Sequence, residues 1–255
     1  MQLLKTEALI VHSIRWSDTS KIVHLFTEKK GYIKAIARGA LRPKSPFRGV
    51  LENLNQIQAV ISIREGRGLQ IVSQADLSDS FSNIRENLES TAIAYSIVEL
   101  IKAVVHYNEE TQSLFRFSVK IMESLNKLQC TFPQLYLDQF IIFLSDYLGF
   151  GWNLTKCRLC GKEPQKFPIL IDIPNGGIVC ANCATQSYQN KFHLTAAQWK
   201  LVTALQKIPP EELPLQIGNL PDDFKYQTIL DILLAHLNYH TEQTLQLKSL
   251  KMYLP

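Results

Sequence analysis

Four of the five cysteines form two pairs, Cys157-Arg-Leu-Cys160 and Cys180-Ala-Asn-Cys183, with 19 residues between them. C-x2-C-x19-C-x2-C falls within the spacing of structural zinc sites. Two intervening residues let both thiolates of one turn face a single ion, and two such turns complete a tetrahedron of sulfurs. Gly161 after the first pair and Gly176-Gly177 before the second supply the tight turns that such knuckles need. Four thiolates fill the zinc shell and leave no position for a reacting water, so one structural Zn2+ is expected rather than a catalytic one. Buried free thiols are the bland alternative. A dithiol redox centre is another, but C-x-x-C usually serves that role in a thioredoxin-like βαβ pattern, which is absent. Cys130 stands apart and reads as an ordinary half-buried thiol. His193 could replace a cysteine, but the quartet is already complete. His236 and His240 share a helix face at a spacing of four, yet lack the glutamate of H-E-x-x-H, so a core or surface role is expected for them.

A second group of residues points to binding. Lys29, Lys30, Lys34, Arg38, Arg42, Lys44 and Arg48 fall within twenty residues with no acid among them. Phe47 is flanked by this charge, and Trp16 lies in an earlier turn. Cations that pair phosphates beside aromatics that stack on bases are how OB-folds hold single strands. Lys30, Lys34, Arg38, Arg42, Lys44, Phe47 and Arg48 are therefore the expected nucleic-acid contacts. A solvated basic face with no ligand is the competing reading. Lys102, Lys120, Lys127 and Lys200 are expected to lie away from the interface.

These residues need a scaffold. The chain has 255 residues, 46% hydrophobic and 20% charged, which fits two or three folded modules rather than a disordered chain. The net charge of +4 is unevenly spread: residues 1–80 hold twelve Lys/Arg against seven Asp/Glu, and the remainder is close to neutral. A partner with phosphates is expected on the N-terminal module. The most apolar stretches, Ile93–Val105 and Phe140–Leu148, are interrupted by Glu99, Lys102 and Asp146 and fall short of a membrane span. Lys5 and Glu7 interrupt any secretory core, so a cytoplasmic protein is expected.

Five short strands are predicted at Glu7–Ile14, Lys21–Thr27, Tyr32–Arg38, Gln56–Arg64 and Leu69–Gln74. In the fourth, Ile57, Ala59, Ile61 and Ile63 share one face. The count suggests a small closed barrel, of OB or SH3-like type. From Asn83 the period turns helical, with an Asn83/Glu86 capping box. Further helices are expected at Gln112–Leu128, with a stripe reaching Leu128, and from Pro133 to before Gly149. Residues 152–190 lose the period and carry the cysteines. Helices return at Thr195, with Gln198 as a second capping box, and near Pro221-Asp222-Asp223, running to His240; Pro209, Pro210 and Pro214 mark a loop between them. The expected class is α+β and multidomain. It comprises an N-terminal OB-fold barrel (1–80), a helical domain in two parts (81–151 and 191–255) and a four-cysteine, zinc-ribbon-like insertion (152–190).

The chain resembles the RecO family of bacterial recombination mediators. The match starts in TEALIVHS (6–13) and is most specific in SDTSKIVHLFTEKKGYIKAIARGALRPKSPFRGVLE (17–52). It continues through Gln74-Ala75-Asp76, Phe81, the cysteine quartet and Leu247-Lys248-Ser249, and so covers essentially the whole chain. The resemblance implies an OB-fold, a helical domain and a zinc-ribbon-like insertion. It also implies binding of single- and double-stranded DNA, annealing of complementary strands, and displacement of single-strand-binding protein so that RecA can load, together with RecR. It places the protein in the cytoplasm on the nucleoid. A helical groove is expected to dock the acidic-hydrophobic tail of single-strand-binding protein. A non-enzymatic role is expected, since no Walker A, G-x-S-x-G or paired-acid nuclease motif is present. An RNA-binding or ribosome-associated protein of the same build is the nearest alternative, and a thiol oxidoreductase a more distant one.

Overall fold

The computed structural model describes residues 2–129, 131–184, 192–217 and 225–253. They form two compact units, one of residues 1–128 with 247–255 and one of residues 129–246.

Runs rich in β-branched and apolar residues build the first unit's sheet. Strands β1 (Gln2–Arg15), β2 (Lys21–Thr27), β3 (Gly31–Ala37), β4 (Gln56–Ile63) and β5 (Gln70–Asp79) close into a barrel in the order β1-β2-β3-β5-β4. β1 is shared: Gln2 to Leu9 pair with β4, and Ala8 to Arg15 pair with β2. A register shift between Ile10 and His12 lets the strand bend from one partner to the other. A short parallel pairing of Ala35–Ile36 with Gln70–Ile71 completes the closure. This five-stranded closed arrangement is the OB-fold. The expected strands are all present, with β1 beginning five residues earlier and β5 ending five later than their patterns indicate. Ile57, Ala59, Ile61 and Ile63 all point into the core beside Ile10, Leu25 and Ile33.

The two glycines and two prolines between β3 and β4 suit an exposed connector, and its cations are indeed exposed, but it is not open throughout. Ala40, Phe47 and Leu51 enter the barrel core, while the neighbouring cations stay exposed. A closed barrel has an open end, and apolar side chains of the connector fill it.

Helices α1 (Ser82–Glu86), α2 (Leu88–Val104) and α3 (Gln112–Asn126) follow. The periodicity predicts one helix where α1 and α2 stand. The break is at Asn87, whose extended backbone and side chain cap α2 by accepting from the Ser90 N–H at 2.8 Å. Asn83 forms no capping box; its side chain donates instead to the Asn126 carbonyl at 2.9 Å. The helical period puts Leu88 on one stripe with Ile84 and Tyr95, but the break leaves it 63% exposed. The α2–α3 connector is tied to the β2–β3 turn. Thr111 Oγ1 donates to the Thr27 carbonyl (2.8 Å) and accepts from the Gly31 N–H (3.2 Å). Gly31 has a φ of 63°, and a Cβ there would sit 2.2 Å from the His106 oxygen, so only glycine fits.

In the second unit, α4 (Gln134–Tyr147) is buried without interruption from Leu135 to Ile142. Strands β6 (Asn153–Cys157), β7 (Ile169–Asp172), β8 (Gly177–Val179) and β9 (His193–Leu194) form a small sheet in the order β6-β8-β7-β9. α5 (Ala196–Leu205) starts with the expected Thr195–Gln198 capping box. The proline-rich loop contains a 3₁₀ turn, Pro210–Glu212, and α6 (Leu213–Gln216), because proline suits a first helical turn. α7 is Tyr226–Thr241. Pro221-Asp222-Asp223 and Cys130 lie outside the described residues. His236 takes the core role: it is buried, with its ring nitrogens 2.8 Å from the carbonyl oxygens of Ile173 and Phe150. The last helix, α8 (Lys248–Tyr253), belongs to the first unit, where Ser249 donates to Glu99 from its N–H and its hydroxyl. Among the described residues no helix is long and apolar enough to cross a membrane.

Candidate metal centre and nucleic-acid interface

Cys157 ends β6 and Cys180 directly follows β8, so the sheet delivers both pairs to one point. All four sulfurs lie within 4.8 Å of one another, with Cys160 and Cys180 Sγ at 3.9 Å. Four sulfurs bonded at about 2.3 Å around one ion would stand about 3.8 Å apart, so the cluster fits a tetrahedral metal. Each pair sits in a tight turn. The Gly161 N–H donates to the Cys157 carbonyl at 2.8 Å with a φ of 71°, and the Cys183 N–H to the Cys180 carbonyl at 2.9 Å. Burial pushes the Cys157 thiol up, but N–H donors from Cys180, Cys160 and Leu159 outweigh it and bring the thiol down to about 6. Hydrogen bonding of the Cys183 thiol with the Cys180 and Cys160 sulfurs, and then burial, push Cys183 up to about 12. A cation at the centre would favour the thiolate of all four. The donor set is entirely sulfur, which suits a thiophilic ion.

The basic residues occupy the first unit. Lys34 is exposed on the outer face of β3, Arg38 follows the strand's end on the same face, and Arg42, Lys44 and Arg48 are exposed on the β3–β4 connector. Arg42 and Arg48 line a cleft of about 400 Å³ with Lys21, whose ammonium pairs with Glu52 at 2.9 Å. Lys30 stands apart, half-buried in the β2–β3 turn and hydrogen-bonded to Asn108 Oδ1 at 3.3 Å.

Phe47 is a correction. The residue is 8% exposed and packs in the barrel core, so although it lines the cleft with Arg42 and Arg48 it offers a base little open ring surface. Charged neighbours in sequence suggest exposure, but barrel closure turns this one side chain inward. Phe47→Ala is expected to cost about 3–5 kcal/mol of stability. Phe47→Leu is expected to keep wild-type DNA affinity, and a loss of affinity by a stably folded Leu variant would restore the stacking role. The exposed aromatic on this side is Trp16, at 62%. Its turn is held beside the connector by the Leu41 N–H donating to the Thr19 carbonyl at 2.9 Å.

Sequence reasoning missed a second group. A cleft of about 390 Å³ brings Lys34 together with Tyr32, Arg67, Lys102, His106 and Tyr107. The sequence alone puts Lys102 away from the interface; the last turn of α2 places it opposite β3 instead. No local signal could have shown this, since 67 residues lie between Lys34 and Lys102. His12, His24 and Lys34 are cross-strand neighbours on β1, β2 and β3. His24 Nδ1 is 2.6 Å from the Tyr32 hydroxyl. Burial, then His12, Lys34 and Lys102, hold the His24 imidazole down to about 4 from 6.5. The unfolded chain therefore takes up this proton between pH 6.5 and 4 while the folded one refuses it. Stability should fall as pH drops through that window, and His24→Gln should lose less on acidification. Equal losses in thermal melts of both proteins would contradict this.

Residues 1–81 match the family model described as Recombination protein O N terminal, and residues 85–251 the one described as Recombination protein O C terminal. Relatives named DNA repair protein RecO include one from Prosthecochloris aestuarii, 31% identical over 240 residues, covering 87% of this chain and 90% of that protein. Others are from Thermoanaerobacter sp., 30% identical over 192 residues with 75% of each chain covered, and Chlorobium limicola, 26% identical over 245 residues with 93% and 94% covered. The two family regions meet between β5 and α2, whereas the compact units part after Leu128, so α1–α3 group with the barrel.

Proposed function

Because this chain belongs to the RecO family of DNA repair proteins, we propose that it is a non-enzymatic recombination mediator. In this reading it binds single- and double-stranded DNA and anneals complementary strands. It helps RecA load onto strands coated by single-strand-binding protein, with RecR as a partner, and works on the nucleoid in the cytoplasm. The supporting observation is the acid-free row of exposed cations, Lys34, Arg38, Arg42, Lys44 and Arg48, along β3 and its connector. Such a row neutralises phosphates without reading base edges, so binding is expected to be insensitive to sequence and steeply salt-dependent. The cysteine cluster holds one Zn2+, which ties the two cysteine turns of the small sheet together and takes part in no bond-breaking step. The test is binding of labelled single-stranded DNA, duplex DNA and RNA of equal sequence. Tight binding of both DNA forms supports the reading. Stronger binding of RNA than of either DNA form would instead favour an RNA-binding protein of the same build.

A further inference from the structure

The outer face of β3 leads away from the connector. Tyr32, Lys34, Ile36 and Arg38 alternate with buried residues and so lie in one row. Lys34 and Arg38 are about 13 Å apart along a strand that rises about 3.3 Å per residue. Arg38 ends the row at the connector, and Lys34 opens into the cleft that also holds Arg67 and Lys102. No Asp or Glu is among the described residues lining that cleft. Tyr107 lies on its rim, 47% exposed. The wall that carries Tyr107 is pinned: Tyr107 bridges Gly31, the Tyr32 N–H donates to the His106 carbonyl at 3.1 Å, and the Asn108 N–H donates to the Lys30 carbonyl at 3.0 Å. Lys34 and Lys102 both depress the proton affinity of His24, so their fields converge on one place. Convergent cations on a rigid wall, beside a tyrosine with an open face, fit a polyanion that also carries flat apolar bases.

We infer that α2 is part of the nucleic-acid interface: a single DNA strand on the connector continues along β3 into this cleft, where Lys34, Arg67 and Lys102 take phosphates and Tyr107 stacks on a base. The inference rests on the DNA-binding reading above and extends it to residues outside the basic stretch. It also means that Lys102 cannot serve as a neutral comparison in charge-removal experiments.

The test is a salt titration of binding to a long labelled deoxythymidine strand by the full chain. Arg67→Gln with Lys102→Gln should flatten the slope by about 1.4 units of log K per log salt. Tyr107→Ala should weaken binding about tenfold and leave the slope unchanged. The pair Arg67→Lys with Lys102→Arg keeps both charges and should bind as wild type. A loss by that pair equal to the glutamine pair's would mean a structural effect and overturn the inference. Wild-type slope and affinity in both the glutamine pair and Tyr107→Ala would also overturn it. In that last case the quadruple variant Arg38→Gln, Arg42→Gln, Lys44→Gln, Arg48→Gln separates the two levels. If it still loses affinity, only the cleft assignment fails; if it too binds as wild type, the DNA-binding reading of the barrel fails with it.

Discussion

Replacing Arg38, Arg42, Lys44 and Arg48 together by glutamine is expected to weaken single-strand binding by orders of magnitude at ordinary salt. Each phosphate left without its cation flattens the salt dependence by about 0.7 units of log K per log salt, so four should change the slope by about three. The four side chains are exposed and lie on β3's end and the connector that follows it. Backbone contacts carry no sequence information, so unrelated strands should lose affinity alike. The fold should survive, because exposed charges contribute little to stability. The comparison protein neutralises Lys120, Lys127, Lys166 and Lys251, which are exposed and line neither basic cleft of the first unit. Equal losses in the two proteins would mean that net charge, and not this surface, governs binding.

Removing the metal is expected to loosen the cysteine-bearing end of the small sheet in the second unit rather than abolish a chemical step. The apolar cluster there consists of Cys157, Leu170, Val179 and Cys180, with Cys183 and Ala184 against it. Two of its four buried members are themselves candidate ligands, so the cysteine end of the sheet has little apolar burial without the ion, whereas Leu154, Ile171 and Leu194 are buried beside Trp152, Val202 and Ile229. Structural zinc contributes about 10–16 kcal/mol in small finger peptides, more than such a cluster can replace. One zinc per chain should copurify, and chelation or a Ser replacement at Cys157, Cys160, Cys180 or Cys183 should expose the two cysteine turns, 157–161 and 180–184, to protease. Four freely titrating thiols in a native, protease-resistant chain without zinc would contradict this.

Much of the architecture is legible because it is written in short-range pattern. Runs of β-branched and aromatic residues mark the five strands, and in the fourth, where the alternation is clearest, Ile57, Ala59, Ile61 and Ile63 face the core as read. Cysteine spacing locates a cluster whose sulfurs do converge. What escapes reading depends on long-range closure. β1 pairs with β4 only once the barrel forms, so its first residues show no signal of their own. Phe47 is buried because a barrel end needs a plug, and nothing in Pro46-Phe47-Arg48 reveals that. Local competition explains other differences. Asn87 wins the cap from Asn83, and Leu128, expected on a buried stripe, is 46% exposed with a φ of 51° because the helix has already ended. Lys102 reaches the cleft because the residues after α2 are tied to the β2–β3 turn through His106, Tyr107 and Thr111, which no spacing along the chain encodes.

The most direct measurement is the rate at which complementary DNA strands coated with single-strand-binding protein anneal. The wild-type chain should accelerate annealing without cleaving or consuming either strand, and the Arg38/Arg42/Lys44/Arg48 glutamine variant should not. Annealing by that variant at the wild-type rate, or no acceleration by the wild-type chain, would contradict a mediator that holds DNA on the barrel's basic face.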